Sequence, residues 1–314
     1  LALAYGMVRL ALPLPPSPTV RVGLVQGNVA QEIKWAPSER RRILSAHLDA
    51  TKEAAARGAT LVVWPESSVP LPLTSNETYR TMLEDLSGRL GIDLVVGSVH
   101  YVPGPNGPEA VYNSAVLLSG SQGGKIVDRY DKRHLVPFGE YVPMRSWLGP
   151  VEKMVEEASD FSSGRRTAVF ESGTARLGPF ICFEAIFPGL VREIVAAGAQ
   201  ILVNLTNDAF LGDTAGPRQH LELAAVRAVE NRRWMVRAAN TGISAVIDPF
   251  GRVTQALPYG TAGVLVADVP LLEARSLYTR AGDAAGWICV LVCALALISP
   301  FPPRNPLRKG RDRA

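Results

Sequence analysis

The sequence predicts an α/β fold. Short β-branched runs alternate with helical stretches from Thr19 to Asp268, with no internal repeat or low-complexity linker between them. Over 314 positions, 47% hydrophobic residues suffice for one substantial core.

Each element has its own reason. Residues 20–26 (VRVGLVQ) form a strand by their β-branched run. Residues 38–57 form a helix, with Ser38 as its N-cap, Ile43, Leu44, Leu48 and Thr51 on one face, and Gly58 past its end. Residues 61–64 are a buried strand, 79–90 a helix, and 94–99, 115–118 and 125–129 strands. Then follow a strand at 175–182, a helix at 189–197, a strand at 201–205 and a helix at 217–231. Strands at 235–239, 244–247 and 264–269 complete the body. The stretch 138–166 breaks the alternation. It is rich in Gly and Pro, holds a short helical piece near 151–158, and carries Tyr141, Met144, Trp147, Leu148 and Phe161. A loop this long is either a lid or a segment packed back on the domain, and both readings stand.

The two ends differ from the body. From Ala284 to Pro303 there are twenty residues without a charge, enough for a helix of ~30 Å, the thickness of a bilayer core. Pro300, Pro302 and Pro303 shorten the expected helix to 284–299, and Trp287 lies where interfacial aromatics are favoured. A buried helix ending a soluble domain is the competing reading. The tail 304–314 carries Arg304, Arg308, Lys309, Arg311 and Arg313 against Asp312, which accounts for the whole +4 of the chain. The body is therefore neutral, and no nucleic-acid partner is expected. A basic tail beyond a membrane helix belongs on the cytoplasmic side, which puts the body outside. The start, LALAYGMVRLALPLPPSP, is apolar apart from Arg9 and reads as a signal-peptide remnant or the end of an earlier membrane helix. The initial Leu1 favours the second reading, with residues 13–18 as a stiff exit.

Three cysteines without CxxC spacing, and four histidines (His47, His100, His134, His220) without ligand spacing, argue against a disulfide framework and a metal centre. No cofactor is expected. Three residues at strand ends carry candidate chemistry: Glu66 in VVWPES, Lys132 in YDKRHLVPFGEY and Cys182 in ICFE. Taken singly, they would be read as a cap, a surface lysine and an inert buried thiol.

Together, WPES, YDKRHLVPFGEY and ICFE resemble the nitrilase superfamily. More closely, DKRHLVPFGEYVP and NLTNDAFLGDTAGPRQH resemble the apolipoprotein N-acyltransferases, and the resemblance runs from about Val20 to the final apolar helix. It implies a four-layer α-β-β-α sandwich followed by a transmembrane helix. The expected division is 1–18 as the end of an upstream membrane segment and linker, 19–272 as the catalytic domain, 284–303 as the membrane helix and 304–314 as the cytoplasmic tail. The implied setting is a bacterial inner membrane with the catalytic domain on the periplasmic side. The implied partners are a phospholipid acyl donor and an apolipoprotein acceptor.

By the same resemblance Cys182 is the nucleophile, Glu66 the general base and Lys132 the charge-stabilising group. Glu140 and Glu184 are supporting acids, and Asn113 of VYNS lies close to the triad. The residue types suit acyl transfer. A thiol with a pKa of ~8.5 is mostly protonated near neutrality, so a carboxylate takes its proton while an ammonium stabilises the oxyanion. Two positions depart from the family: Phe183 where Tyr is expected, and Phe210-Leu211 where an aromatic pair such as Trp-Phe is expected. Both bear on substrate preference. The rival readings are an amidase with the same triad and a catalytically dead membrane scaffold. No GxSxG elbow supports a serine hydrolase.

Overall fold

The structure is a computed structural model that describes residues 2–105, 107–143 and 160–298. In chain order its elements are α1 (Ala2–Ala11), β1 (Thr19–Gln26), α2 (Gln31–Lys34), α3 (Arg40–Ala56), β2 (Leu61–Val63), β3 (Val69–Pro72) and α4 (Glu77–Leu90). Next come β4 (Asp93–Gly104), β5 (Gly107–Ser119), β6 (Lys125–Asp131), β7 (Phe170–Glu171), β8 (Arg176–Ile181) and α5 (Pro188–Ala196). The last are β9 (Ile201–Thr206), α6 (Gly216–Asn231), β10 (Trp234–Ala239), β11 (Ser244–Ile247), β12 (Val253–Leu257), β13 (Gly263–Pro270), α7 (Leu277–Ala281) and α8 (Ala284–Ile298).

The strands form two sheets. The first runs β13-β1-β2-β4-β5-β6, with β3 added beside β4, and the second runs β12-β11-β10-β9-β8-β7. The middle of each is parallel: β1, β2 and β4 in the first, β8, β9 and β10 in the second. Strand β13 crosses back from the carboxyl-terminal half to pair antiparallel with β1, from Thr19↔Pro270 to Gln26↔Gly263.

Strand periodicity sorts the core. On β4, Val95 joins a cluster shared by both sheets, while Leu94 and Val96 join one with Leu44 and Ala54 of α3 and Leu83 of α4. On β9, Ile201, Val203 and Leu205 enter the shared cluster, and Leu202 packs with Leu190, Val191, Ile194 and Val195 of α5 and Ala224 and Ala228 of α6. Successive side chains point to opposite faces, so a strand apolar on both faces must be covered on both. Each fully buried Leu, Ile or Val contributes about 1.5–3 kcal/mol. Trp64 ties helix to sheet: its Nε1 donates to Thr51 Oγ1 at 2.8 Å, and that hydroxyl donates to the His47 carbonyl at 2.8 Å.

Several expectations change. Helix α3 starts at Arg40 with Glu39 at its N-cap and no side-chain cap, so Ser38 does not cap it. Strands β4 and β5 run to twelve and thirteen residues as a long hairpin, beyond 94–99 and 115–118. Strands β3, β7 and β12 were not expected from the pattern. Short length hides β3 and β7, and β12 (VTQAL) is exposed along most of its length. At the amino end, α1 is a helix with Leu3, Met7, Val8 and Leu10 exposed.

The helix expected over 284–303 is seen as α8, fifteen residues with no buried side chain, and 299–303 lie outside the described residues. Among the described residues no helix is long and apolar enough to cross a membrane. The helical piece near 151–158, the bulky residues Met144, Trp147 and Leu148, and the basic tail also lie outside them. The described flank 160–166 packs back on the domain: the Ser162 amide donates to the Val111 carbonyl at 2.6 Å, and the Gly164 amide to the Lys132 carbonyl at 2.8 Å.

Candidate active site

Glu66 follows β2 at the carboxyl end of the first sheet and is 7% exposed. The turn that carries it presses against β4, where a Cβ on Gly97 would collide with the Pro65 carbonyl oxygen. Only glycine permits that approach. Lys132 follows β6 and is 1% exposed. Its Nζ donates to Glu66 Oε1 at 3.3 Å and to Glu140 Oε1 at 2.9 Å. Asn113, on β5, donates from Nδ2 to the same two carboxylates, at 2.7 Å to Glu66 and 2.9 Å to Glu140. Glu140 is fixed in turn by the Val136 amide at 2.9 Å on Oε2. Burial pulls the Lys132 pKa down, but Glu66, Cys182 and Glu140 outweigh it, and the ammonium is held well above its ordinary range.

Cys182 follows β8 on the second sheet, at the start of the helical turn Cys182–Ile186. Its φ of 49° is left-handed, a conformation that costs a non-glycine residue roughly 1–2 kcal/mol. Such strain persists only where neighbours over-determine it. Here His220 Nε2 donates to the Cys182 carbonyl at 3.1 Å, and Glu184 Oε2 accepts the Ile181 amide at 2.7 Å. The thiol is pushed up to about 12, first by burial and then by Glu66 and Asp208, against the pull of Lys132 and a hydrogen bond with Thr206. At neutral pH it is therefore an S–H that needs a base to become a nucleophile.

The structure brings Glu66, Asn113, Lys132 and Glu140 into one hydrogen-bonded group, with Cys182 in their field. Glu184 bonds to a different set of groups. It is fully buried, and its Oε1 accepts from Tyr130 Oη at 2.7 Å, the Arg133 amide at 2.7 Å and the His134 amide at 3.2 Å. Burial raises its pKa against those bonds. It is a strut between the cysteine turn and the segment after Lys132. The Phe183 ring meets Phe187 edge-on at 5.3 Å. Phe210 stands 75% exposed on the turn Asp208–Leu211.

Sequence reading gave no role to four residues here. His220 Nδ1 lies 2.9 Å from Asp208 Oδ1, and buried Arg237 on β10 clamps Asp208 at 2.8 and 3.1 Å and also donates to Asn204 Oδ1. Burial opposes the Asp208 charge, but Arg237 and His220 outweigh it and hold the carboxyl at about 2. Asp208 and His220 lie within NLTNDAFLGDTAGPRQH, so the motif contained them without disclosing their contacts. Lys34, at the end of α2, is 3% exposed and donates to the Glu66 carbonyl at 3.1 Å.

The geometry can be set beside known proteins. A family model described as carbon-nitrogen hydrolase matches residues 21–279. The apolipoprotein N-acyltransferase of Geobacter metallireducens is 42% identical over 301 residues, which cover 95% of this chain and 57% of that protein. That of Pseudomonas syringae pv. tomato is 34% identical over 283 residues, covering 90% and 54%. The chain thus spans about half the length of the curated relatives it matches. Among solved structures, an amidase from Nesterenkonia sp. superposes with a TM-score of 0.64 at 25% identity, over 89% of this chain and 99% of that one.

Proposed function

The chain belongs to the carbon–nitrogen hydrolase family, and from that premise we propose that it is the catalytic part of an apolipoprotein N-acyltransferase. The observation that carries the reading is the convergence of Glu66 and Lys132 from one sheet with Cys182 from the other, around a thiol that is protonated at neutral pH. Its relatives of that name support the acceptor class.

In the proposed reaction Glu66 takes the Cys182 proton as the sulfur attacks the acyl ester carbonyl of a phospholipid. Lys132 stabilises the oxyanion; loss of such a donor typically costs roughly a hundred- to a thousandfold in rate. Collapse breaks the ester C–O bond, Glu66 returns the proton to the departing oxygen, and a lysophospholipid leaves a thioester on Cys182. The free amine of a diacylglyceryl-cysteine at the start of an apolipoprotein then attacks the thioester. Its proton passes by way of Glu66 to the sulfur, forming the amide and freeing the thiol. Phe183 and Phe210 are proposed to bias substrate preference.

The layering proposed for the domain is α-β-β-α, with α3 and α4 outside one sheet and α5 and α6 outside the other, as the three core clusters suggest. The proposed setting is a bacterial inner membrane, with the domain on the periplasmic side. The exposed apolar faces of α1 and α8 support membrane contact at both ends, with α8 as the first part of a span over 284–303 and the tail 304–314 on the cytoplasmic side.

The second reading, an amidase, is favoured by the extent of the match to the Nesterenkonia enzyme. The two separate on substrates. The full-length protein in detergent would be given phospholipid and a synthetic diacylglyceryl-cysteine peptide, and in a second reaction simple amides. Acylated peptide without ammonia release supports acyl transfer. Ammonia from the amides and an unmodified peptide would establish the amidase.

A further inference from the structure

Lys34 closes the short helix α2 and is, among the described residues, one of two buried lysines beside Glu66. A lysine is almost never fully buried without a partner. This one has the Glu66 backbone carbonyl at 3.1 Å, and its ammonium lies 5.8 Å from the centre of the neighbouring Trp35 ring. Among the described residues, three ionisable groups face it. Glu66, on the turn after β2, and the thiolate form of Cys182, on the turn after β8, both favour its charged form. His47 on α3 does not compete, because burial first, with Lys34 also lowering it, holds the ring at about 4 and therefore neutral. Lys132 does not serve as the anchor of the Glu66 backbone; its Nζ contacts are to carboxylate oxygens.

We infer that Lys34 is a positioning residue of the active site, whose ammonium anchors the Glu66 turn and adds a second positive charge beside the Glu66–Cys182 pair. The inference rests on Cys182 being the nucleophile. Coupling between charges is reciprocal: if the Cys182 thiolate favours protonated Lys34, protonated Lys34 favours the thiolate to the same degree. Burial meanwhile pushes the Lys34 pKa down to about 8, so the support it gives is present at neutral pH and is withdrawn as the pH rises through that value.

The test is the rate of Cys182 alkylation by iodoacetamide in the full-length protein from pH 6.5 to 9.5, read on the Cys182 peptide by mass spectrometry. The parent is compared with Lys34→Met, which removes both charge and donor, and with Lys34→Gln, which keeps a donor for the Glu66 carbonyl and is the milder change for folding. At pH 7 both variants are expected to react about tenfold more slowly than the parent, the equivalent of one pKa unit at the thiol. The ratio should fall toward one as Lys34 in the parent loses its proton near pH 8. A ratio that is constant with pH, whatever its size, would overturn the inference and leave Lys34 a packing residue. No alkylation of Cys182 in the folded parent at any pH would overturn both this inference and the nucleophile reading beneath it.

Discussion

The two sheets contribute to the site in different ways. The first supplies charge. Glu66, Lys132 and Glu140 are joined by buried, charge-assisted contacts, and Asn113 bridges the two carboxylates. The second supplies strain and restraint. Cys182 sits at a left-handed backbone angle, its carbonyl held by His220 and its turn by Glu184. An ionic cluster is organised by attraction among its own members. A strained cysteine must be held by its neighbours, here His220 and Glu184, with Asp208 and Arg237 behind His220. Damage to the first sheet should therefore strike chemistry hardest, and damage to the second should be felt first in stability.

The largest effect is expected for Lys132→Met. It takes from Glu66 and Glu140 the ammonium both are bonded to and removes the proposed oxyanion partner. Acylation should drop by roughly a hundred- to a thousandfold, and the unfolding free energy should fall by about 3–5 kcal/mol, measured by single-turnover kinetics and urea denaturation. Next is Glu184→Ala. Four donors lose one acceptor, and the expected loss is about 3 kcal/mol or more, since a buried hydrogen bond to a charged group contributes about 1.5–3 kcal/mol. A loss below 1 kcal/mol would break the contrast between the sheets.

Asp208 gives a smaller effect with a definite sign. Its folded-state pKa is depressed from 3.8 to about 2, so its contribution is fully present above pH 4 and is lost as the pH falls toward 2. The displacement corresponds to about 2 kcal/mol at neutral pH. An Asp208→Asn protein should lack that part of the acid sensitivity, which urea titrations between pH 2 and 6 would show. Phe210→Ala should matter least to folding. The ring is 75% exposed, so stability is expected to change by no more than about 0.5 kcal/mol. Acyl-chain preference in transfer assays is where its effect should appear.

How much could be read from the sequence follows the same division. Short continuous apolar runs located the parallel strands β1, β2, β8, β9 and β10 because each buries side chains on both faces. The lengths of β4 and β5 were missed because their outer halves lie toward solvent and lose that pattern. The groups proposed to react were legible as candidates because Glu66, Lys132 and Cys182 each sit inside a compact motif at a strand end. Glu184 was legible as a supporting acid, but not the four donors that tie it between the cysteine turn and the segment after Lys132. Lys34 and the His220–Asp208–Arg237 network were not legible as parts of the site. Lys34 reaches Glu66 from 32 residues away, and Arg237 reaches Asp208 from 29, and linear pattern does not record which distant side chain fills a buried polar gap.

The central claim is that Cys182 carries the acyl group between donor and acceptor. It is tested most directly by exposing the full-length protein to a phospholipid of defined chain length, without acceptor, and measuring the mass of the Cys182 peptide. The account predicts a gain of one acyl chain on that peptide, removed by neutral hydroxylamine and absent from Cys182→Ala. An unmodified Cys182 peptide in folded protein, or acyl transfer that survives Cys182→Ala, would contradict it.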